Sequence, residues 1–270
     1  MIENKSEFLG AAFRAAMLAG DLIVKNLGRI SEDDVTIKQA SDFVTRVDRE
    51  SEQLIINTIK QKFPEHLFLA EESVKDPGTG EYRWIIDPLD GTTNFIHGYP
   101  VFSVSIALEY NKEIILGAIF DPIRDELFTA EQGSGSFLNG QPVNVSAISE
   151  LENSLITTGF PFRRKNFIDN YLKLFKNIFH KVSDIRRAGS AALDLAHLAC
   201  GRCDAFFEIG LSAWDVAAGS IIIKEAGGII TDFGGGPDYL VTGNIVAGSP
   251  ALHGDILKEV KDIFSAVIEK

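Results

Sequence analysis

Apolar residues recur at Phe8, Ala11, Ala12, Ala15, Leu18, Ala19, Leu22 and Ile23. That is the spacing of one helix face, so residues 5–27 are predicted to form a long amphipathic helix that Gly28 ends. Residues 49–62 repeat the pattern, with Leu54, Ile55, Ile59 and Phe63 on one side and Pro64 beyond the end. The period then shortens. Apolar runs at 67–70, 84–86, 102–109, 114–120 and 127–130 predict strands. Asn111-Lys112 reads as a tight turn joining two of them into an antiparallel hairpin, and Asn139-Gly140 reads as another turn.

After residue 150 the pattern alternates. Strands are predicted at 154–158, 205–209 and 244–248, and helices at 167–179, 191–199, 216–226 and 251–268. A helix-flanked antiparallel sheet followed by strand–helix units predicts layered αβαβα packing, in the α/β class (α+β by some schemes). No long polar linker and no repeat at a solenoid period interrupts the chain. The expectation is one domain over 1–270. Its 1–150 half carries helices and the antiparallel sheet, and its 151–270 half carries strand–helix units.

Composition narrows the function. With 45% hydrophobic and 24% charged residues, the chain of 270 residues has enough apolar surface for a core. Its start shows no basic-then-apolar leader, and no apolar run is long enough for a bilayer. Two cysteines build no disulfide framework, so a cytoplasmic location is expected. Lys+Arg is 26 against Asp+Glu 38, a net charge of −12. That argues against a bulk electrostatic grip on nucleic acid. It also means that a phosphorylated ligand would need local positive charge, from a helix N-terminus, a basic pocket or metal ions.

The chemistry concentrates in Trp84-Ile85-Ile86-Asp87-Pro88-Leu89-Asp90-Gly91-Thr92-Thr93-Asn94. An apolar strand runs into two carboxylates three residues apart. Pro88 fixes φ between them and is expected to stop the strand. A bend there would turn Asp87, Asp90 and the Leu89 carbonyl toward one point, an all-oxygen set suited to Mg²⁺ or Mn²⁺. Gly91-Thr92-Thr93 is expected to open a short helix whose amides attract an anion. For this motif alone a plain turn remains the alternative, because Asp-Pro and Asp-Gly are common turn pairs. Taken singly, Glu71 and Glu72 after the 67–70 strand read as surface charge, and Asp215 before a helix reads as an N-cap.

Together, these segments resemble the inositol monophosphatase family of metal-dependent sugar phosphatases. The resemblance rests on Asp42-Phe43-Val44-Thr45-Arg46-Val47-Asp48, on Glu71-Glu72-Ser73, and on Trp84 to Phe95 with His97-Gly98-Tyr99-Pro100 behind it. It continues through Phe207-Glu208-Ile209-Gly210-Leu211-Ser212-Ala213-Trp214-Asp215 to Glu225-Ala226-Gly227-Gly228, and so covers nearly the whole chain. Arg186-Arg187-Ala188-Gly189-Ser190-Ala191-Ala192-Leu193-Asp194-Leu195 is similar to the bacterial inositol-1-monophosphatase branch.

The resemblance implies the layered αβαβα sugar phosphatase fold. It also implies Mg²⁺-dependent hydrolysis of inositol monophosphate to inositol and phosphate by a metal-activated water. Two or three Mg²⁺ ions are implied, with Mn²⁺ as the alternative. Glu71, Asp87 and the Leu89 carbonyl would hold the first, Asp87, Asp90 and Asp215 the second, and a third would sit beside Glu71. The Gly91 and Thr92 amides would bind phosphate oxygens. Thr92 and Asp48, paired by a hydrogen bond, would act with Glu71 on the attacking water. Asp90, Ala191 and Glu208 would contact the inositol hydroxyls. Inhibition by Li⁺ and a homodimer also belong to the family pattern.

Alternatives on the same site are fructose-1,6-bisphosphatase or a general sugar phosphatase. Glu208 favours a polyol over a nucleotide. A different class is a regulatory protein in contact with a transcription factor or RNA.

Other features carry less. Cys200-Gly201-Arg202-Cys203 is a lone C-x-x-C with His197 as its only nearby zinc ligand, and inert thiols are expected. Gly133-Ser134-Gly135 lacks the third glycine of a dinucleotide fingerprint, and Gly234-Gly235-Gly236-Pro237 reads as a turn. His97 is expected to be structural, and Lys38 to be exposed near the site. Arg163-Arg164-Lys165 and Arg186-Arg187 are read as solvated surface or subunit contact, with no arginine clamp expected in the matched core.

Overall fold

The computed structural model describes residues 5–30, 34–39, 42–73 and 78–268. Its first half runs α1 (Lys5–Asn26), β1 (Val35–Gln39), β2 (Asp42–Thr45), α2 (Arg46–Lys60), β3 (Leu67–Ala70), β4 (Tyr82–Asp90) and α3 (Thr92–Ile96). It continues with β5 (Ser103–Tyr110), β6 (Glu113–Asp121), β7 (Glu126–Glu131), β8 (Gly135–Leu138) and β9 (Gln141–Val143). The second half runs β10 (Leu155–Thr158), α4 (Ile168–Phe179), β11 (Asp184–Arg186), α5 (Ala191–Ala199), β12 (Ala205–Glu208) and α6 (Ala213–Glu225). It ends with β13 (Ile229–Thr231), α7 (Tyr239–Thr242), β14 (Ile245–Gly248) and α8 (His253–Ile268).

A seven-stranded sheet takes the order β3-β4-β5-β6-β7-β8-β9, antiparallel except for the parallel pair β3 and β4. A five-stranded mixed sheet takes the order β11-β10-β12-β14-β13, and β1 pairs with β2 separately. α1 and α2 cover the outer face of the larger sheet. α5 and α6 fill the space between the sheets, and α4 and α8 pack together outside the smaller one. The result is the αβαβα layering expected from the sequence. Between the sheets the fit is close. A Cβ on Gly117 of β6 would lie 2.7 Å from Ile221 Cγ2 and 3.0 Å from Ala218 Cα of α6, so only glycine lets the helix approach this near. Among the described residues no helix is long and apolar enough to cross a membrane.

Both turn signals are realised. Asn111 and Lys112 take φ of 49° and 70° between β5 and β6, and Asn139 and Gly140 take 47° and 76° between β8 and β9. Pro88 does not stop its strand: β4 runs on to Asp90, with a register irregularity between Asp87 and Asp90. The reason is local. The β3 ladder reaches only Ala70↔Ile86, so beyond Ile86 one side of β4 is an edge, where a missing N–H costs little. α2 begins three residues before the predicted start, because Thr45 caps it. α6 likewise begins at Ala213, with Ser212 as N-cap, so Asp215 lies inside the first turn rather than at the cap. The short strands β1, β2, β8, β9, β11 and β13 have too few residues to show a period.

Candidate active site

The site is assembled at the end of β4, where α2, the β3 terminus, α5 and α6 converge. In α2, the Thr45 hydroxyl accepts from Val47 N at 3.1 Å, and Asp48 Oδ2 accepts from Thr45 N at 2.8 Å. This reciprocal cap fixes one Asp48 oxygen and leaves Oδ1 facing β4. There it lies 2.8 Å from Thr92 Oγ1, which is also 3.1 Å from the Leu89 carbonyl. One hydroxyl hydrogen serves only one acceptor at a time, and the shorter, charge-assisted bond to Asp48 wins. Burial pushes the Asp48 carboxyl up to about 6.

At the end of β4, Asp87 Oδ1 accepts from Leu89 N at 3.0 Å, a bond that shapes the bend around Pro88. Asp90 Oδ2 accepts from Ser190 Oγ at 2.6 Å and from Ala192 N at 2.8 Å, which ties β4 to the start of α5. Gly91 follows with φ of +99°, and a Cβ there would lie 2.9 Å from Val101 O, so the turn into α3 requires glycine. Asp215 Oδ2 accepts from Ser212 N at 2.7 Å. Glu71 N donates to Ile86 O at 3.2 Å, continuing the parallel pairing one residue past β3 and setting Glu71 beside Asp87.

Asp87, Asp90 and Asp215 each place a ligand atom within 4.8 Å of the others, the one such group of three among the described residues. Burial, then the charge of Glu71, drives the Asp87 carboxyl well above the ordinary range. Burial, then Asp215, pushes Asp90 up to about 7. Two carboxylates ~4 Å apart repel by about 4 kcal/mol at an effective dielectric near 20. An all-oxygen set held this close while disfavouring its own ionisation fits a hard divalent cation, which would relieve the repulsion. The donors therefore suit Mg²⁺ or Mn²⁺ and lack the sulfur or imidazole that zinc prefers.

A cavity of about 390 Å³ opens above this floor. It is lined by Glu71, Asp87, Asp90, Thr92 and Asp215, and also by Glu208 and Ala191. Every side chain singled out as a metal, phosphate or ring contact thus faces one chamber. Asp48 stands just behind it, reached through Thr92. The backbone amides of residues 92–94 precede the first intrahelical donor of α3, Phe95 N, which donates to Gly91 O at 3.0 Å.

Sequence reasoning missed four residues here. Arg163 is not a solvated surface charge: Nη1 lies 2.8 Å from Asp215 Oδ2 and Nη2 3.7 Å from Glu71 Oε1. The reading of Arg163 as solvated surface or subunit contact is therefore corrected. One signal existed. Gly159-Phe160-Pro161 leaves the carboxyl end of β10, and in α/β sheets the loops at that edge gather into sites. Arg187, read as surface or subunit contact, is exposed yet lines the cavity, with its guanidinium 5.6 Å from the Phe160 ring centroid. Ser190 anchors Asp90, and Asp194 lines the cavity from α5.

The remaining features stay outside. His97 is the exposed C-cap of α3. Cys200 and Cys203 are unbridged, burial raises both thiols, and His197 forms no ligand cluster with them. The Gly133 and Gly135 amides hold Glu225, each at 2.8 Å. The Lys38 side chain lies outside the described residues.

The family model for inositol monophosphatases matches residues 4–265. The chain is 45% identical over 263 residues to the protein called Nus factor SuhB of Escherichia coli strain K12, covering 97% of this chain and 98% of that one. The crystal structure of extragenic suppressor protein suhB from Bartonella henselae is 44% identical, with a TM-score of 0.89 over 94% of this chain and 98% of that chain. The inositol monophosphatase of Anabaena sp. is 41% identical, with a TM-score of 0.87 over 97% and 99% of the two chains.

Proposed function

The chain belongs to the inositol monophosphatase family, and from that premise we propose that it is a Mg²⁺-dependent phosphatase that releases phosphate from inositol monophosphate. The observation that carries this reading is the convergence of Asp87, Asp90 and Asp215 at a cavity that Glu208 also lines. Glu71, Asp87, Asp90, Asp215 and the Leu89 carbonyl are the groups that would hold two or three ions. When bound, Mg²⁺ supplies Lewis acidity at phosphoryl oxygens and the positive charge that a −12 chain lacks.

The chain's own residues do the rest. The amides at the start of α3 orient the phosphate, with Gly91 and Thr92 the ones that the family resemblance implies. Thr92 donates its hydroxyl hydrogen to Asp48 Oδ1, so the Thr92 oxygen lone pairs are left to accept a proton from the attacking water. Asp48 sits at the end of that relay, and its raised affinity for protons suits the role of acceptor. Glu71 provides a second acceptor on the same side. Glu208 and the Ala191 edge of α5 receive the ring. Attack by water is direct, without a phosphoenzyme, as the family resemblance implies.

A sugar bisphosphate is the competing substrate, favoured by Arg187, a guanidinium at the cavity with no ion-pair partner among the described residues. A transcription-associated role is the second class, favoured by the name of the Escherichia coli relative. The homodimer is part of the proposal. α4 buries Tyr171, Leu174 and Ile178 but leaves Ile168, Leu172 (49%) and Phe179 (54%) exposed as an apolar stripe fit for a second copy. Li⁺ sensitivity follows from the family. A cytoplasmic location accords with two unbridged thiols.

Phosphate release from inositol-1-phosphate and fructose-1,6-bisphosphate, measured in parallel with Mg²⁺ and with chelator, tests the reading. Mg²⁺-dependent release from the inositol ester is expected. Release from the bisphosphate alone would move the substrate, and release from neither, by folded protein with bound Mg²⁺, would sink the enzyme reading.

A further inference from the structure

The wall of the cavity formed by β12 and α5 holds two carboxylates. Glu208 ends β12, and a Cβ on Gly159 would collide with its carboxyl group, so glycine at 159 is what makes room for it. Asp194 lies one turn beyond Ser190 on α5. Spacing of i, i+4 puts it on the same face as the serine that holds Asp90. Both line the cavity, and both are nearly sequestered, Asp194 at 2% exposure and Glu208 at 5%.

Neither carboxylate receives a hydrogen bond from any described residue. On the floor, by contrast, Asp48, Asp87, Asp90 and Asp215 each accept at least one. A buried carboxylate without a donor is costly, and native structures rarely leave one so unless a ligand or water completes it. Burial, then the charge of Glu208, raises the Asp194 carboxyl well above its ordinary range, and burial pushes Glu208 up to about 8. The charge of Asp215 adds to the rise at Glu208, and Arg187 is the cation that lowers both groups.

A structural reason for Asp194 exists, since an acidic residue in a first helical turn complements the dipole. That benefit is obtained at the surface and does not require burial at a cavity. A further metal site is disfavoured as well, because the one three-ligand group among the described residues is Asp87, Asp90 and Asp215. What two adjacent acceptors lack is a pair of neutral donors at matching spacing, which neighbouring hydroxyls on a ring supply.

We infer that Asp194 is a specificity-determining residue that, with Glu208, accepts hydrogen bonds from adjacent hydroxyls of the alcohol half of the substrate, selecting polyol phosphates over esters without such hydroxyls. This rests on the phosphatase reading and extends it to a residue outside the ring contacts implied by the family resemblance.

The test compares wild type, Asp194→Ala and Asp194→Asn on inositol-1-phosphate and p-nitrophenyl phosphate at saturating Mg²⁺, with calorimetric binding of inositol-1-phosphate alongside. The ratio of kcat/KM for the inositol ester to that for the aryl ester is expected to fall by about 10- to 100-fold in Asp194→Ala, the scale for a hydrogen bond to a charged group. The loss should be carried by KM and matched in the binding constant. Asp194→Asn, which keeps one acceptor, should recover part of it. Equal loss on both esters, or no loss in the ratio, would overturn the inference in favour of a structural role. A wild type that binds inositol-1-phosphate without hydrolysing it, with binding weakened in Asp194→Ala, would refute the phosphatase reading and uphold this one. A wild type that neither binds nor hydrolyses it would overturn both.

Discussion

The floor of the cavity and its β12–α5 wall are both acidic, yet they are built differently. On the floor the four aspartates are tied: Asp48 to Thr45 and Thr92, Asp87 to Leu89 N, Asp90 to Ser190 and Ala192 N, Asp215 to Ser212 N and Arg163. On the wall, Glu208 and Asp194 are buried and accept nothing from the described residues. Fixed oxygens converging on one point suit cations, whose ligands must be held against mutual repulsion. Untied oxygens suit a neutral ligand that brings its own hydrogens. On the proposed function, the same residue types would divide between catalysis and recognition by what holds them.

The difference can be broken most severely on the floor. Asp90→Asn should lower turnover by at least about 100-fold, since even indirect ligand supports cost 10- to 100-fold. Fold should be retained, as judged by circular dichroism. Near-normal turnover would show that the floor is not the metal site.

pH offers a second cut. Asp48, Asp90 and Glu208 all have folded pKa values above the ordinary carboxylate range, about 6, 7 and 8. The folded state therefore holds more protons than the unfolded chain between roughly pH 4 and 8. Their stabilisation is complete below pH 4 and is lost as pH rises through the folded values. The thermal midpoint of chelated protein should fall from pH 6 to pH 9 by several degrees, and saturating Mg²⁺ should flatten the slope. A slope of opposite sign, or one indifferent to Mg²⁺, would contradict the electrostatics of the floor.

Arg163 sharpens the contrast further, because it is the floor's built-in counter-charge. Arg163→Ala should lower the midpoint of chelated protein by a few degrees, equivalent to about 1–2 kcal/mol for a half-buried pair. The deficit should shrink with Mg²⁺. An equal deficit with and without Mg²⁺ would assign the arginine a packing role alone. The smallest effect is expected away from the cavity. Leu172→Glu on the α4 stripe should shift the protein from dimer to monomer in light scattering, with turnover per chain changed less than about threefold.

These regions were unequally legible in the sequence. The floor was readable because Asp87, Leu89, Asp90 and Gly91 are contiguous, so backbone geometry alone brings them together. The layering was readable from the change of hydrophobic period after residue 63 and again after residue 150. Pro88 misled because whether a proline ends a strand depends on its neighbours, and β3 stops short of it. The start of α2 was missed although Thr45-x-x-Asp48 is a capping pattern, since Asp48 was assigned to the site alone. Arg163 and Asp194 were harder to read, for a different reason. One lies on a loop and the other inside an apolar helix, and only the packing of β10 and α5 against the β4 terminus turns them inward.

Mg²⁺ titration by calorimetry on wild type, Asp87→Asn and Glu208→Gln tests the division between floor and wall most directly. Wild type and Glu208→Gln should bind Mg²⁺ with similar affinity, while Asp87→Asn loses binding. Mg²⁺ binding that survives in Asp87→Asn and fails in Glu208→Gln would place the cations on the wall and contradict the division.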